Sequence, residues 1–251
     1  VLQTKPAQSC TVLIAGKNTT RDGSILFGKT EDDGGMQVDY LWRFPGKNHP
    51  QGAYLQANLE GLTIPQRRET YAYWLDECPL THYSNMVINE WGVAFGSNGC
   101  RSREDPVEEL EARGQIEDGG IGFMLRIILA QRAKTARQAV LMAAELIDRY
   151  GYRPSGRNLN IVGPDEAWQL QMARGKHYVA RRVQDDEVAI VSNTFSIREV
   201  DLEDRENFIA SPDLVDYAIE RGWYDPEKDG DFDFARAYAA PEAHVANSNN
   251  H

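Results

Sequence analysis

Cationic side chains are in deficit. The chain has 27 Lys and Arg against 38 Asp and Glu, a formal net charge of -11. Nucleic acids and anionic membranes call for a basic face, so this balance argues against both as partners. Cysteine is scarce as well: Cys10, Cys78 and Cys100 are the three present. They form no CxxC pair and have no His at metal-ligand spacing, which excludes the usual zinc motifs. The odd count leaves at least one thiol outside any disulfide, and Cys78 with Cys100 is the pair an exported protein could form. Long apolar runs are also missing. Ile121 to Ala130 is the longest and is interrupted by Arg126, short of the roughly 18 residues of a membrane span. There is no signal-peptide core at the start, no internal repeat and no Gly-rich phosphate loop, since Gly16-Lys17 lacks the spacing. The five His (His49, His82, His177, His244, His251) are scattered, and Ser9-Cys10-Thr11 lacks the signature around a papain-type nucleophile.

What is present suits a globular fold. Hydrophobic residues make up 41% and charged residues 26%, enough to bury a core without disulfides or metal. Residues 1–9 are polar and read as a leader. Thr11–Ala15 and Ser24–Gly28 read as strands joined by an Asp22-Gly23 turn. Residues 33–82 carry no clear period. Asn85–Asn89 and Gly92–Ser97 form a second hairpin pattern. Helical patterns follow at Pro106–Arg113, Gly122–Ala133 and Thr135–Tyr150. The third opens on a Thr135/Gln138 capping box, with Val140, Leu141, Ala144 and Ile147 as its apolar face. Asn158–Val162, Ala167–Met172, His177–Val183 and Val188–Val191 read as an antiparallel meander. A helix runs from Ser211 to Gly222, and the acidic, aromatic tail from Asp229 shows no closing helix or strand. Strands and helices in separate blocks predict an α+β fold with antiparallel sheets.

Few residues could carry chemistry. Cys10 stands directly before a buried-type strand. Cleavage between Ser9 and Cys10 would place an α-amine beside its thiol, a base with a pKa of about 7.7–8.0. Nucleophile and base would then share one residue. On spacing alone a buried strand-edge cysteine is the commoner outcome. Lys29 and Asp32, just after the second strand, offer a cation to stabilise a thiolate and a carboxylate to orient the amine; a surface ion pair is the alternative. Asn98 and Asn193 each end an apolar strand, where amide donors suit an oxyanion hole and also cap turns.

The opening segment Cys10-Thr-Val-Leu-Ile-Ala-Gly-Lys17, with Thr20-Arg-Asp-Gly-Ser24 and Gly28-Lys-Thr-Glu-Asp32, resembles the cysteine dipeptidases of the N-terminal-nucleophile (Ntn) hydrolases, to which secernins are related. Asn89-Glu-Trp-Gly-Val-Ala94, Ser97-Asn98, Ala167-Trp168, Arg181-Arg-Val183 and Gly222-Trp-Tyr-Asp225 extend the likeness. The resemblance implies an Ntn-hydrolase four-layer αββα sandwich over residues 10–251, a leader (residues 1–9) removed autocatalytically, and no cofactor or metal. It implies dipeptide hydrolysis. By analogy with the related bile-salt hydrolases and penicillin V acylases, Cys10 is the nucleophile and its α-amine the base. Asp32 would hold that amine, Lys29 would stand where the amidases carry an Arg, and Asn98 and Asn193 would serve the oxyanion hole. Expected partners are a dipeptide or small N-acyl amide, a further copy of the chain and a C-terminal remainder of the same precursor. On this alignment an active-site Arg of the related amidases falls beyond His251. The possible Cys78–Cys100 pair leans towards a secreted or periplasmic setting.

Overall fold

The computed structural model describes residues 10–31, 39–78, 83–103 and 105–241. Strand β1 (Thr11–Ala15) turns into β2 (Leu26–Thr30), and β3 (Tyr40–Phe44) follows. Two short ribbons come next, β4 (Lys47–Asn48) paired with β7 (Glu69–Thr70), and β5 (Tyr54–Gln56) with β6 (Thr63–Pro65). Then come β8 (Tyr73–Cys78), β9 (Tyr83–Asn89) and β10 (Ala94–Gly99), and helices α1 (Val107–Ala112), α2 (Leu125–Ala130) and α3 (Ala136–Tyr150). Strands β11 (Arg157–Val162), β12 (Ala167–Met172), β13 (Tyr178–Val183), β14 (Val188–Val191) and β15 (Phe208–Ala210) precede α4 (Leu214–Glu220) and α5 (Phe234–Tyr238). The fold is α+β with antiparallel sheets, as its blocks of strand and helix imply.

Eight strands form one antiparallel sheet in the order β15-β13-β12-β11-β10-β9-β8-β3, and three form a second, β14-β1-β2. Period-two alternation divides the large sheet. Phe95, Leu159, Ile161, Trp168 and Leu170 point to one face and pack against α2 and α3. Ala167, Val162 and Val183 point to the other, against Val12, Ile14 and Val191 of the small sheet. Each large apolar side chain so buried contributes about 1.5–3 kcal/mol. A third cluster joins α4 and α5 to one end of the large sheet, with Leu214, Ala218, Phe234 and Tyr238 against Cys100, Ala173 and Val179. The described residues thus build helices, large sheet and small sheet. On the outer face of the small sheet, Leu13, Leu26, Val188 and Ile190 are exposed.

Thr135 caps α3 by accepting from Gln138 N at 3.1 Å, while Gln138 Oε1 accepts from Lys134 N at 2.7 Å. The buried stripe of α3 runs through Ala136, Ala139, Val140, Ala143, Ala144 and Ile147. Leu141 belongs to its flank and is 50% exposed, because one residue is a rotation of about 100° from Val140.

Three expectations are corrected. The strand at 188–191 leaves the meander and pairs with β1 in the small sheet, Val12 opposite Val191. The second strand runs two residues later than its pattern, so Lys29 lies inside β2 rather than after it. The tail does contain a helix: Asp233 accepts from Arg236 N at 2.9 Å to start α5, whose Phe234 and Tyr238 are buried. At five residues α5 is too short to show a helical period, and tertiary packing forms it.

Candidate active site

Cys10 sits at the mouth between the two sheets. It precedes β1, and Val12 and Ile14 point inward, so alternation aims Cys10 inward too. Two asparagines clamp its backbone. Asn98, fully buried near the end of β10, donates from Nδ2 to Cys10 O and to Val191 O, both at 2.9 Å. Asn193, just beyond β14, accepts from Cys10 N through Oδ1 and donates from Nδ2 to Gly99 O at 2.7 Å. Asn158, opposite Asn98 in register, pins the loop that carries Asn193 by donating to Ser192 O (3.2 Å) and Thr194 O (2.6 Å). Asn98 and Asn193 are thereby brought together with Cys10. Both amide hydrogens of Asn98 are engaged, so in this arrangement it holds the backbone rather than presenting an open donor.

The thiol faces a carboxylate. Cys10 Sγ lies 3.1 Å from Glu31 Oε1, and the other oxygen of Glu31 is paired with Lys29 Nζ. The Lys29 side chain is 2% exposed, so its ion pair is not the surface pair of the alternative reading. Space for it comes from Gly96 on β10: a Cβ there would lie 2.8 Å from Phe27 Cζ and 3.5 Å from Lys29 Cδ. Phe27, Lys29 and Glu31 share one side of the extended chain, and that period-two signal in the sequence could have singled out Glu31. Asp32 lies outside the described residues. Asp76, on β8, extends the acidic group: burial raises its carboxyl above the usual range, Asp39 and Glu31 raise it further, and Lys29 opposes them. A largely apolar groove of about 460 Å³ runs beside β2, lined by Leu26, Phe27, Trp74, Asp76, Met86 and Ile88.

The match to known sequences now bears on this geometry. The model of peptidase family C69 aligns with residues 9–250. The chain belongs to peptidase family C69. Curated relatives of this C69 chain include a probable dipeptidase B of Streptococcus pyogenes serotype M1, 30% identical over 237 residues, spanning 93% of the chain and 47% of the relative. A probable dipeptidase of Salmonella dublin is 27% identical over 238 residues, spanning 92% and 53%. The chain therefore spans about half the length of the curated relatives it matches. Among solved structures, the penicillin V acylase of Agrobacterium tumefaciens superposes with a TM-score of 0.39 at 10% identity, covering 73% of this chain and 49% of its own. The conjugated bile acid hydrolase of Clostridium perfringens also gives 0.39 at 10% identity, covering 85% and 56%. Those likenesses are slight, and the family assignment rests on sequence.

Other groups of the C69 chain stand apart from this constellation. Cys100 carries a free, buried thiol, and burial pushes its pKa far up, which makes it inert as a nucleophile. His177 is buried, stacked on Tyr217, and 3.3 Å from Asp213. Among the described residues no group of three or more His, Cys, Asp or Glu is arranged to hold a metal, and no helix is long and apolar enough to cross a membrane.

Proposed function

We propose that this chain carries the nucleophile of a cysteine dipeptidase that works through an acyl-thioester on Cys10 once residues 1–9 are removed. One observation carries the reading: the backbone nitrogen and the thiol of Cys10 are each gripped by a separate polar group, Asn193 and Glu31. With the leader attached, that nitrogen is an amide and no base. The thiol rests against a carboxylate that is itself paired with Lys29. Removal of the leader turns the same nitrogen into an α-amine, already oriented by Asn193 Oδ1.

The reaction then runs in two balanced steps. The amine takes the thiol proton as Sγ attacks the scissile carbonyl carbon. The C–N bond breaks, and the leaving amine takes the proton from the α-ammonium. Water, deprotonated by the α-amine, attacks the thioester, releases the acid and restores the thiol. Lys29 balances Glu31 beside the nucleophile. Asn193, which has a second amide hydrogen, and Asp32 are the remaining groups assigned to the oxyanion and the amine. The acidic group of Glu31, Asp39 and Asp76 suits the ammonium end of a dipeptide. The apolar groove beside β2 favours a second reading, hydrolysis of a small N-acyl amide with an apolar acyl group.

The test is chemical. After the leader is removed and a start at Cys10 is verified by mass spectrometry, dipeptide hydrolysis is expected, and Cys10→Ala lowers it by roughly 10³-fold or more. Acetylating the new terminus gives a comparable loss. Undiminished turnover in Cys10→Ala overturns the proposal. Turnover of acyl amides with inert dipeptides selects the second reading.

A further inference from the structure

Three amide side chains stand abreast on the large sheet, on the face towards the small one. Asn98 of β10 lies opposite Asn158 of β11, and Asn158 lies opposite Gln171 of β12. None is more than 1% exposed. Each takes hold of the next piece of one segment. Asn98 donates to Val191 O at 2.9 Å. Asn158 donates from Nδ2 to Ser192 O at 3.2 Å and to Thr194 O at 2.6 Å. Gln171 accepts from Ser196 N at 2.9 Å and Ile197 N at 3.0 Å, and donates to Ser196 Oγ at 2.7 Å. Residues 191–197 are thus laid across the sheet on a row of amides.

The middle amide is the one that bears on the nucleophile. Thr194 N donates back to Ser192 O at 2.8 Å, closing a three-residue turn with Asn193 at its apex. Asn193 has no positive φ, so this is the common inverse γ-turn. A turn closed by one hydrogen bond is weak by itself. Asn158 ties both of its ends to β11, and so fixes the direction in which Asn193 presents Oδ1 to Cys10 N. The Oδ1 of Asn158 has no hydrogen-bond partner, so the two donated bonds are what its side chain supplies. Turned over, the amide would set its oxygen against two carbonyl oxygens. We propose that Asn158 is a positioning residue, acting through Asn193 to orient the Cys10 nitrogen. Its effect on turnover rests on the peptidase reading; its effect on the proton affinity of the released amine does not.

In the processed chain the ammonium form of that nitrogen donates to Asn193 Oδ1, which raises its proton affinity. Asn158→Leu keeps the branched shape and removes both donors without changing a charge. The titratable groups beside the amine, the Cys10 thiol, Glu31 and Lys29, stay as they are. The expected kcat for dipeptides is lower by roughly 10–100-fold, with KM within about 2-fold. The amine is expected to titrate lower by roughly half a pH unit. That shift is read from the acid limb of kcat/KM and from the ¹⁵N signal of the terminal amine in cysteine-labelled protein. Gln171→Met loses comparable bonds at the far end of the row; it is expected to lower the thermal midpoint and leave the titration in place. If Asn158→Leu does not fold, Asn158→Ser, with one hydroxyl donor and no added bulk, carries the comparison. A lower kcat with an unmoved titration, an equal shift in Gln171→Met, an unchanged kcat and titration, or failure of both Asn158 variants to fold overturns the proposal. A processed wild-type chain that turns over no dipeptide sinks the peptidase reading, and the amine titration of Asn158→Leu still decides the positioning.

Discussion

Asn98 commits both amide hydrogens to backbone carbonyls of two different strands, Cys10 O and Val191 O. It is a staple between the sheets at the point where the nucleophile is held. Asn98→Ala leaves two carbonyls of the clamp without their donor, and each such loss in a buried place costs about 1–3 kcal/mol. The expected result is a urea midpoint lower by an amount equivalent to roughly 2–4 kcal/mol, together with a lower kcat for the processed chain. An unchanged midpoint sinks the staple. At this scale the sequence is legible by chemistry and blind to partners. Cys10, Asn98 and Asn193 stand out because reactive or amide side chains at strand ends are informative. Glu31 hides inside a motif where Lys29 and Asp32 draw the eye, and Asn158 reads as one of two asparagines alternating with apolar residues in a strand.

Elements decide how those residues meet. Strand β2 can lie over β10 because Gly96 leaves room for Phe27 and Lys29. A methyl there must push the Phe27 ring, so Gly96→Ala should cost about 1–3 kcal/mol and displace the strand that bears Lys29. Guanidinium or urea denaturation measures the cost, and adding Phe27→Leu should return most of it; a double variant as unstable as the single one refutes the contact. Most elements follow from local pattern. The capping box of α3 and the Asn89-to-Gly92 hairpin turn act within a few residues, and there sequence and structure agree. Where long-range contacts rule, they part. β14 looks like the next strand of a meander, yet its partner is β1, because Ala189 and Val191 fit the apolar layer between the sheets. Residues 39–78 contain several short strands without clean alternation, since exposed aromatics such as Tyr40, Trp42 and Trp74 sit among buried Tyr73 and Leu75. Helix α5 owes its existence to the packing of Phe234 and Tyr238, which no local rule announces.

At the scale of the whole molecule, the middle of the large sheet is covered on both faces, its β3 and β8 edge leaves Trp42 and Trp74 exposed, and the small sheet is covered on one face. Leu13, Leu26, Val188 and Ile190 form an apolar outer face, 40–66% exposed, of the kind that marks an interaction surface. The chain should therefore bind the apolar dye ANS in its native state. Leu13→Lys combined with Ile190→Lys should lower that fluorescence while leaving the far-UV circular dichroism unchanged, as both side chains point away from the core. Dye binding indifferent to these changes would place the accessible apolar surface elsewhere.

The clamp on Cys10 also has a consequence in time. The bond from Cys10 N to Asn193 spans 183 residues of chain. A polypeptide is made from its N-terminus at about 5–20 residues per second, so the thiol leaves the ribosome roughly 10–35 s before the asparagine that orients it. Strand β1 can pair with β2 at once, while its other edge waits for β14. During synthesis the reactive end is therefore chemically idle, and its assembly is deferred until most of the large sheet already exists to receive it.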